Sequence, residues 1–196
     1  AYSRALDVVP EGDIDLRLSL LHDLGSIVDR MGDFERSIPI FEELGTLSWV
    51  VASRAKGGVA FNKLGRAYRS LGEYDRALRY LEQSHRLFES VEDVAGIAST
   101  LDDIGRVYWL RGEYEVAQER YETAIELRRT LGDNRSIALS LSRMGMLRTQ
   151  RGEFREALAC FREALELRRS AGDVPGVAES LNTIGVLFVE RGDLES

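Results

Sequence analysis

The stretch Ile104-Gly105-Arg106-Val107-Tyr108-Trp109-Leu110-Arg111-Gly112-Glu113-Tyr114-Glu115-Val116-Ala117 decides how this chain folds. Around its first half, Ile97, Leu101, Ile104 and Tyr108 recur at spacings of four, three and four, one apolar stripe of an α-helix. The run Leu110-Arg111-Gly112-Glu113 interrupts that stripe, because glycine supplies a turn conformation that a helix interior does not use. A second stripe follows at Tyr114, Ala117, Tyr121, Ala124 and Ile125 and closes near Leu131-Gly132-Asp133. Gly132 suits a helix stop, and Asp133 suits the cap of the next helix. The local unit is two helices joined by a tight turn.

Moving outward, the same marks return at a fixed interval. Gly25, Gly65, Gly105, Gly145 and Gly185 stand 40 residues apart, as do Gly32, Gly72, Gly112, Gly152 and Gly192. Asp13, Ser53, Asp93, Asp133 and Asp173 form a third column in phase, all residues that cap helix N-termini well. Such a period is the mark of a tandem array. It predicts first (A) helices at about 14–30, 54–70, 94–110, 134–150 and 174–190, and second (B) helices at about 34–48, 74–90, 114–130 and 154–170. The small column Ala77, Ala117 and Ala157, with Ser37, lets helix B approach helix A; the aromatic column Phe34, Tyr74, Tyr114 and Phe154 fills the space beside it. Glycine inside a helix costs roughly 1 kcal/mol against alanine. Its return in every A helix therefore predicts a site where a neighbouring helix leaves no room for a Cβ. The fold class expected is all-α, an α-solenoid of stacked antiparallel helix pairs.

Two segments carry a family resemblance. Leu64-Gly65-Arg66-Ala67-Tyr68 with Leu71-Gly72-Glu73-Tyr74-Asp75-Arg76-Ala77-Leu78 resembles the tetratricopeptide repeat, and so does Ile104-Gly105-Arg106-Val107-Tyr108 with Arg111-Gly112-Glu113-Tyr114-Glu115-Val116-Ala117. The 40-residue period is similar to the longer variant found in LGN/Pins-type adaptors and in many bacterial regulatory proteins. The resemblance implies a right-handed superhelix with the A helices lining its concave side. It implies one array over residues 1–196: full repeats at 13–52, 53–92, 93–132 and 133–172, and a truncated fifth at 173–196. It speaks for a binding scaffold and says little about which partner.

The ends read as cut. Tyr2-Ser3-Arg4-Ala5-Leu6 matches Tyr121-Glu122-Thr123-Ala124-Ile125, so residues 1–9 read as the tail of a preceding B helix, with Pro10 in the link. Gly192-Asp193-Leu194 opens a fifth turn with no B helix after it. The A helix at 174–190 is then expected to expose an apolar face including Val186, Leu187 and Phe188, favouring self-association through the ends. The first period is irregular. Pro39 falls inside its B helix and favours a kink, while Gly45 and Leu47-Ser48-Trp49-Val50-Val51 replace the usual charged tail. That segment reads either as a degenerate repeat that packs differently or as a hinge or lateral contact surface centred on Trp49.

Composition narrows the chemistry. The 196 residues are 44% hydrophobic and 30% charged, with a formal net charge of −7, which describes a folded, acidic chain. One Cys and two His exclude an internal disulfide framework and an ordinary zinc cluster. No apolar run is long enough to span a membrane and no signal peptide opens the chain, so a cytoplasmic setting without membrane or nucleic-acid partner is expected. No cofactor, metal or enzymatic activity is expected. His22 and His85 lie in different columns, and the glycines mark turns and helix contacts instead of a phosphate loop. Cys160 reads as a core thiol. Asp102-Asp103 and Glu42-Glu43 read as solvated faces and helix pairing. Arg191-Gly192-Asp193 reads as a copy of the repeat turn, and Asn134-Arg135-Ser136 as a formal sequon directly behind a cap.

The columns flanking the packed stripe of the A helices are the candidate site. One holds His22, Asn62, Asp102, Ser142 and Asn182; the next holds Ser26, Arg66, Arg106, Met146 and Val186; a third holds Asp29, Arg69, Trp109, Thr149 and Val189. The peptide-binding groove would be formed by His22, Ser26, Asn62, Arg66, Arg69, Asp102, Arg106, Trp109, Ser142, Met146 and Asn182. Its arginines suit carboxylates, Asn62 suits a peptide backbone, and the row turns apolar from Met146 onward. The expected ligand is a protein or peptide with an acidic segment. A competing reading has Arg66 and Arg106 pairing with Asp102 and nearby acids to stitch adjacent repeats. The lysine-and-asparagine carboxylate clamp of chaperone-docking family members is absent, since Arg66, Ser26 and Met146 stand where its asparagines belong. The preferred function is a protein–protein interaction scaffold; the alternative is a regulatory sensor module that binds a signalling peptide and controls a fused effector domain.

Overall fold

The computed structural model describes residues 13–192; the expected helix tail at 1–9 and the last residues of the fifth period lie outside them. Among the described residues there are nine α-helices: α1 (Ile14–Arg30), α2 (Phe34–Val50), α3 (Arg54–Ser70), α4 (Tyr74–Glu89), α5 (Val94–Leu110), α6 (Tyr114–Leu131), α7 (Asn134–Gln150), α8 (Phe154–Ser170) and α9 (Val174–Arg191). Odd-numbered helices are the A helices and even-numbered ones the B helices. The architecture is an all-α helical-repeat solenoid.

Local chemistry sets the helix ends. The carboxylates of Asp13, Asp93, Asp133 and Asp173 each accept the backbone N–H three residues on, from Leu16, Gly96, Ser136 and Gly176, at 2.9–3.2 Å. Ser53, in the same column, makes no such bond, so α3 starts without a side-chain cap. The A-to-B turns run through Gly32, Gly72, Gly112 and Gly152 at φ of 78°, 77°, 80° and 76°, the left-handed region where a Cβ is strained. At the B-to-A links Gly132 and Gly172 take φ 66°, but Ala52 and Glu92 adopt the same conformation at 53° and 55° without glycine's freedom. Helix α2 runs unbroken across the exposed Pro39.

The helices fall into two compact units, one ending at Val107 and one beginning at Tyr108. In the first, Leu18, Leu21, Phe41, Leu44, Leu64 and Leu81 are buried. In the second, Tyr121, Ile137, Leu141, Met144 and Leu147 pack together, and Leu187 joins Ala157 and Phe161 in a smaller cluster. Leu187 is thus core, against the expectation of exposure, whereas Val186 beside it is 47% exposed. The helix glycines behave as expected in three A helices. A Cβ on Gly25 would lie 2.5 Å from Phe41 Cε1, one on Gly65 2.5 Å from Leu81 Cγ, and one on Gly145 2.5 Å from Phe161 Cε1. Gly185 departs from the rule: no heavy atom of another group lies within 4 Å of that position.

Hydroxyls and arginines fasten B helices to the A helices beside them. In the first unit Ser84 of α4 bridges two of them: its Oγ donates to the Gly58 carbonyl of α3, the helix before it, at 2.8 Å and lies 3.2 Å from Thr100 Oγ1 of α5, the helix after it. In the second, Arg168 Nη1 donates to Ser180 Oγ at 2.6 Å and to the Gly176 carbonyl at 3.1 Å, and Arg128 reaches Ser140 in the same way.

Candidate functional site

In the first unit, α1 and α3 present His22, Asp23, Ser26, Asp29, Arg30, Lys63 and Arg66 around an open cavity of about 590 Å³. Four of these, His22, Ser26, Asp29 and Arg66, come from the expected columns; Asp23, Arg30 and Lys63 were not anticipated. The only signal for Lys63 was its rarity, one of two lysines in a chain rich in arginine. Arg66 Nε and Ser26 Oγ are buried without a hydrogen-bond partner. Burial pushes the Lys63 ammonium below its ordinary pKa, the neighbouring Arg66 guanidinium pushes the same way, and Asp29 and Asp103 oppose them. His22 leans on Asp23, its Nδ1 3.4 Å from Oδ1. A cation whose charge is disfavoured by burial and by a like neighbour is stabilised by any anion that enters beside it.

Between α3 and α5 the polar residues are already engaged. Asp103 accepts from Arg69 Nη1 at 2.8 Å and from Asn62 Nδ2 at 3.2 Å, with the ion-pair side chains only 9% and 6% exposed. Asp102 and Asp103 are therefore buried residues, not the solvated pair expected; a charge is kept inside here because it is paired and hydrogen-bonded. The stitch joining these repeats is Arg69 with Asp103. Arg106 is half-buried on α5.

In the second unit, Trp109, Met146, Phe161, Asn182, Val186 and Leu187 border an open cavity of about 350 Å³. Trp109 Nε1 donates to the side chain of Gln150, which fixes the indole as one wall. Met146 is 39% exposed at the rim. Ser142 does not join this set; its hydroxyl bonds the Ala138 carbonyl at 2.9 Å. Cys160 is buried and its thiol is pushed above the ordinary pKa by burial, so it is a poor nucleophile. Among the described residues no group of three or more His, Cys, Asp or Glu is placed to hold a metal ion, and no helix is long and apolar enough to cross a membrane.

Stacked helix pairs that present side chains from their A helices define a repeat protein of the interaction-scaffold type, a non-enzymatic class of fold. The family described as Tetratricopeptide repeat matches residues 58–130 and 136–196. The chain belongs to the tetratricopeptide repeat family. Solved structures agree on the fold. BtubC (BKLC) from P. vanneervenii is 22% identical with a TM-score of 0.73, over 87% of this chain and 72% of that one. The nearly identical TPR-like repeats of a Podosopora anserina kinesin light chain give 16% identity and a TM-score of 0.71, over 91% and 88%. The apo form of RapI gives 15% identity and a TM-score of 0.75, over 98% of this chain and 54% of RapI. No curated protein matches the chain in sequence.

Proposed function

We propose that the repeats act as one array that binds a protein or peptide segment on its A-helix face, in a cytoplasmic setting, with an acidic side chain of the ligand seated between α1 and α3. The observation that carries this reading is the cavity holding Lys63, Arg66 and Ser26, in which Arg66 Nε and Ser26 Oγ have no partner of their own. A ligand carboxylate in this cavity would be held by the Lys63 ammonium and the Arg66 guanidinium; charge-assisted hydrogen bonds of this kind contribute about 1.5–3 kcal/mol each. The pocket at Trp109, Met146 and Val186 would take an apolar side chain of a ligand on the second unit. Asn62 and Arg69 serve the stack, being committed to Asp103.

The test uses a pool of fluorescent peptides rich in Asp and Glu, read by anisotropy against wild type and Arg66→Glu. Charge reversal is expected to weaken the best binders by about tenfold or more, and unchanged affinity removes the site. The pH dependence has a definite sign. Lys63 is lowered when free, and a bound carboxylate raises it. Affinity is therefore full below the free-state value, falls as pH rises through it, and levels off once the bound lysine has also lost its proton. Titration of the same peptide from neutral to alkaline pH checks this, and Lys63→Met should flatten the profile.

A further inference from the structure

The seam between α1 and α3 holds a second cavity, of about 400 Å³, beside the charged one. Its floor is apolar: Leu18 of α1 and Leu44 of α2 are buried there, and Val59 of α3 is half-buried at its side. Its lysine is already engaged, because Lys56 Nζ lies 2.8 Å from Asp15 Oδ1. His22 and Asp23 border both cavities, so the two are neighbouring compartments of one cleft. The charged compartment carries Ser26, Arg30, Lys63 and Arg66 on its walls. Helix geometry sets the distance between the two. Leu18 and Ser26 are eight residues apart on α1, and Val59 and Arg66 are seven apart on α3. At about 1.5 Å per residue, the compartments lie roughly 10–12 Å apart along the seam.

We infer that the cleft proposed above to seat an acidic side chain selects an extended peptide segment carrying an apolar side chain and, three residues away, a single Asp or Glu, a narrowing that rests on that reading. A chain in polyproline-type extension returns to the same side every third residue and advances about 9 Å in doing so. That step spans the two compartments once the reach of the side chains is added. A β-strand puts residues three apart on opposite faces, and a helix needs a spacing of seven to cover the same distance on one face. Charge complementarity assigns the compartments. Arg30, Lys63 and Arg66 hold the carboxylate, and the apolar side chain rests on Leu18, Leu44 and Val59. Asp23 stands at the junction and Asp29 in the charged compartment, so like charge disfavours a run of acids and the two residues in between are neutral.

The experiment titrates the full chain with fluorescent peptides, read by anisotropy. The reference probe carries Leu-Ser-Ser-Glu between neutral Gly-Ser flanks. Its companions replace the leucine by serine or the glutamate by glutamine, or set leucine and glutamate side by side or seven apart. The reference probe is expected to bind about tenfold or more tightly than each companion. Ser19 is exposed at the rim of the apolar cavity, so a substitution there disturbs no core contact. Ser19→Trp fills the compartment and Val59→Asp places a charge in it, and a thermal melt verifies the fold of both variants. Each should lower the affinity of the reference probe to that of the serine companion and leave the serine companion unchanged. Arg66→Glu should weaken both peptides. If Arg66→Glu affects neither, the acidic reading falls and this one with it. If Arg66→Glu acts but the leucine adds nothing, or neither Ser19→Trp nor Val59→Asp matters, the apolar compartment alone is overturned. No saturable binding of the reference probe overturns the inference, whereas the pool of acidic peptides tests the broader reading by itself. Tighter binding of the pair seven apart also overturns it in favour of a helical ligand, and displacement of the probe by octanoate at lower concentration than by unlabelled peptide does so in favour of a small amphipathic acid.

Discussion

Gly145 and Gly185 share a column and differ only in what stands opposite them. Alanine at 145 would press its methyl 2.5 Å from the Phe161 ring, a contact that forces the ring or the helix to move, at a cost of about 1–3 kcal/mol. Alanine at 185 meets nothing and gains the helix propensity that glycine lacks, up to about 1 kcal/mol. Urea unfolding of the two variants should shift the midpoints in opposite directions; shifts of the same sign would mean that the packing described around one of them is wrong. The repeat of glycine every 40 residues was plain in the sequence, but the sequence could not tell a filled notch from an open one, since the residue is the same. The same limit applies to polar groups. Asn62 and Arg69 were legible as members of A-helix columns, because helical periodicity assigns a face. Their commitment to Asp103 was not legible, because it depends on how long side chains reach across to the neighbouring helix. Lys63 was missed for the related reason that periodicity says nothing about how deeply a flexible side chain is buried.

Helix α2 holds the one departure from the family of B helices that can be tested by itself. Where it carries Pro39, α4 has Arg79, α6 has Glu119 and α8 has Ala159. The proline lacks the N–H that would bond one turn back, yet the helix continues from Phe34 to Val50. The packing of Phe41, Leu44 and Ser48 along its buried face keeps the helix whole despite the missing bond. Pro39 is exposed, so Pro39→Ala disturbs no core contact and restores the hydrogen bond. Stability should rise by about 1–3 kcal/mol, read as a higher thermal midpoint. A lower midpoint would mean that the proline ring sets a geometry the first pair requires. Most helix boundaries could be read from punctuation, because Asp and Gly act through local backbone geometry. The exceptions are just as physical. Ser53 has the chemistry of a cap but makes no cap bond, and Ala52 and Glu92 take a left-handed conformation that nothing in their identity announces.

For the whole molecule, the question is how far a disturbance travels. Packing in a repeat protein runs between neighbouring helices, so stability is close to a sum of pair terms and nearest-neighbour contacts, and openings stay local. The chain adds a division of its own, with one compact unit ending at Val107 and the other beginning at Tyr108. Leu64 and Leu147 are comparably buried core leucines, 1% and 0% exposed, one in each unit. Truncating either to alanine removes buried apolar volume at a cost of about 2–5 kcal/mol. If the units respond separately, Leu147→Ala should speed amide exchange across α7, α8 and α9 while leaving α1 to α4 close to wild type, and Leu64→Ala should do the reverse. Hydrogen–deuterium exchange followed by peptide mass spectrometry resolves the two patterns. Uniform acceleration along all the helices in either variant would show that the chain unfolds as one cooperative body despite its division into units.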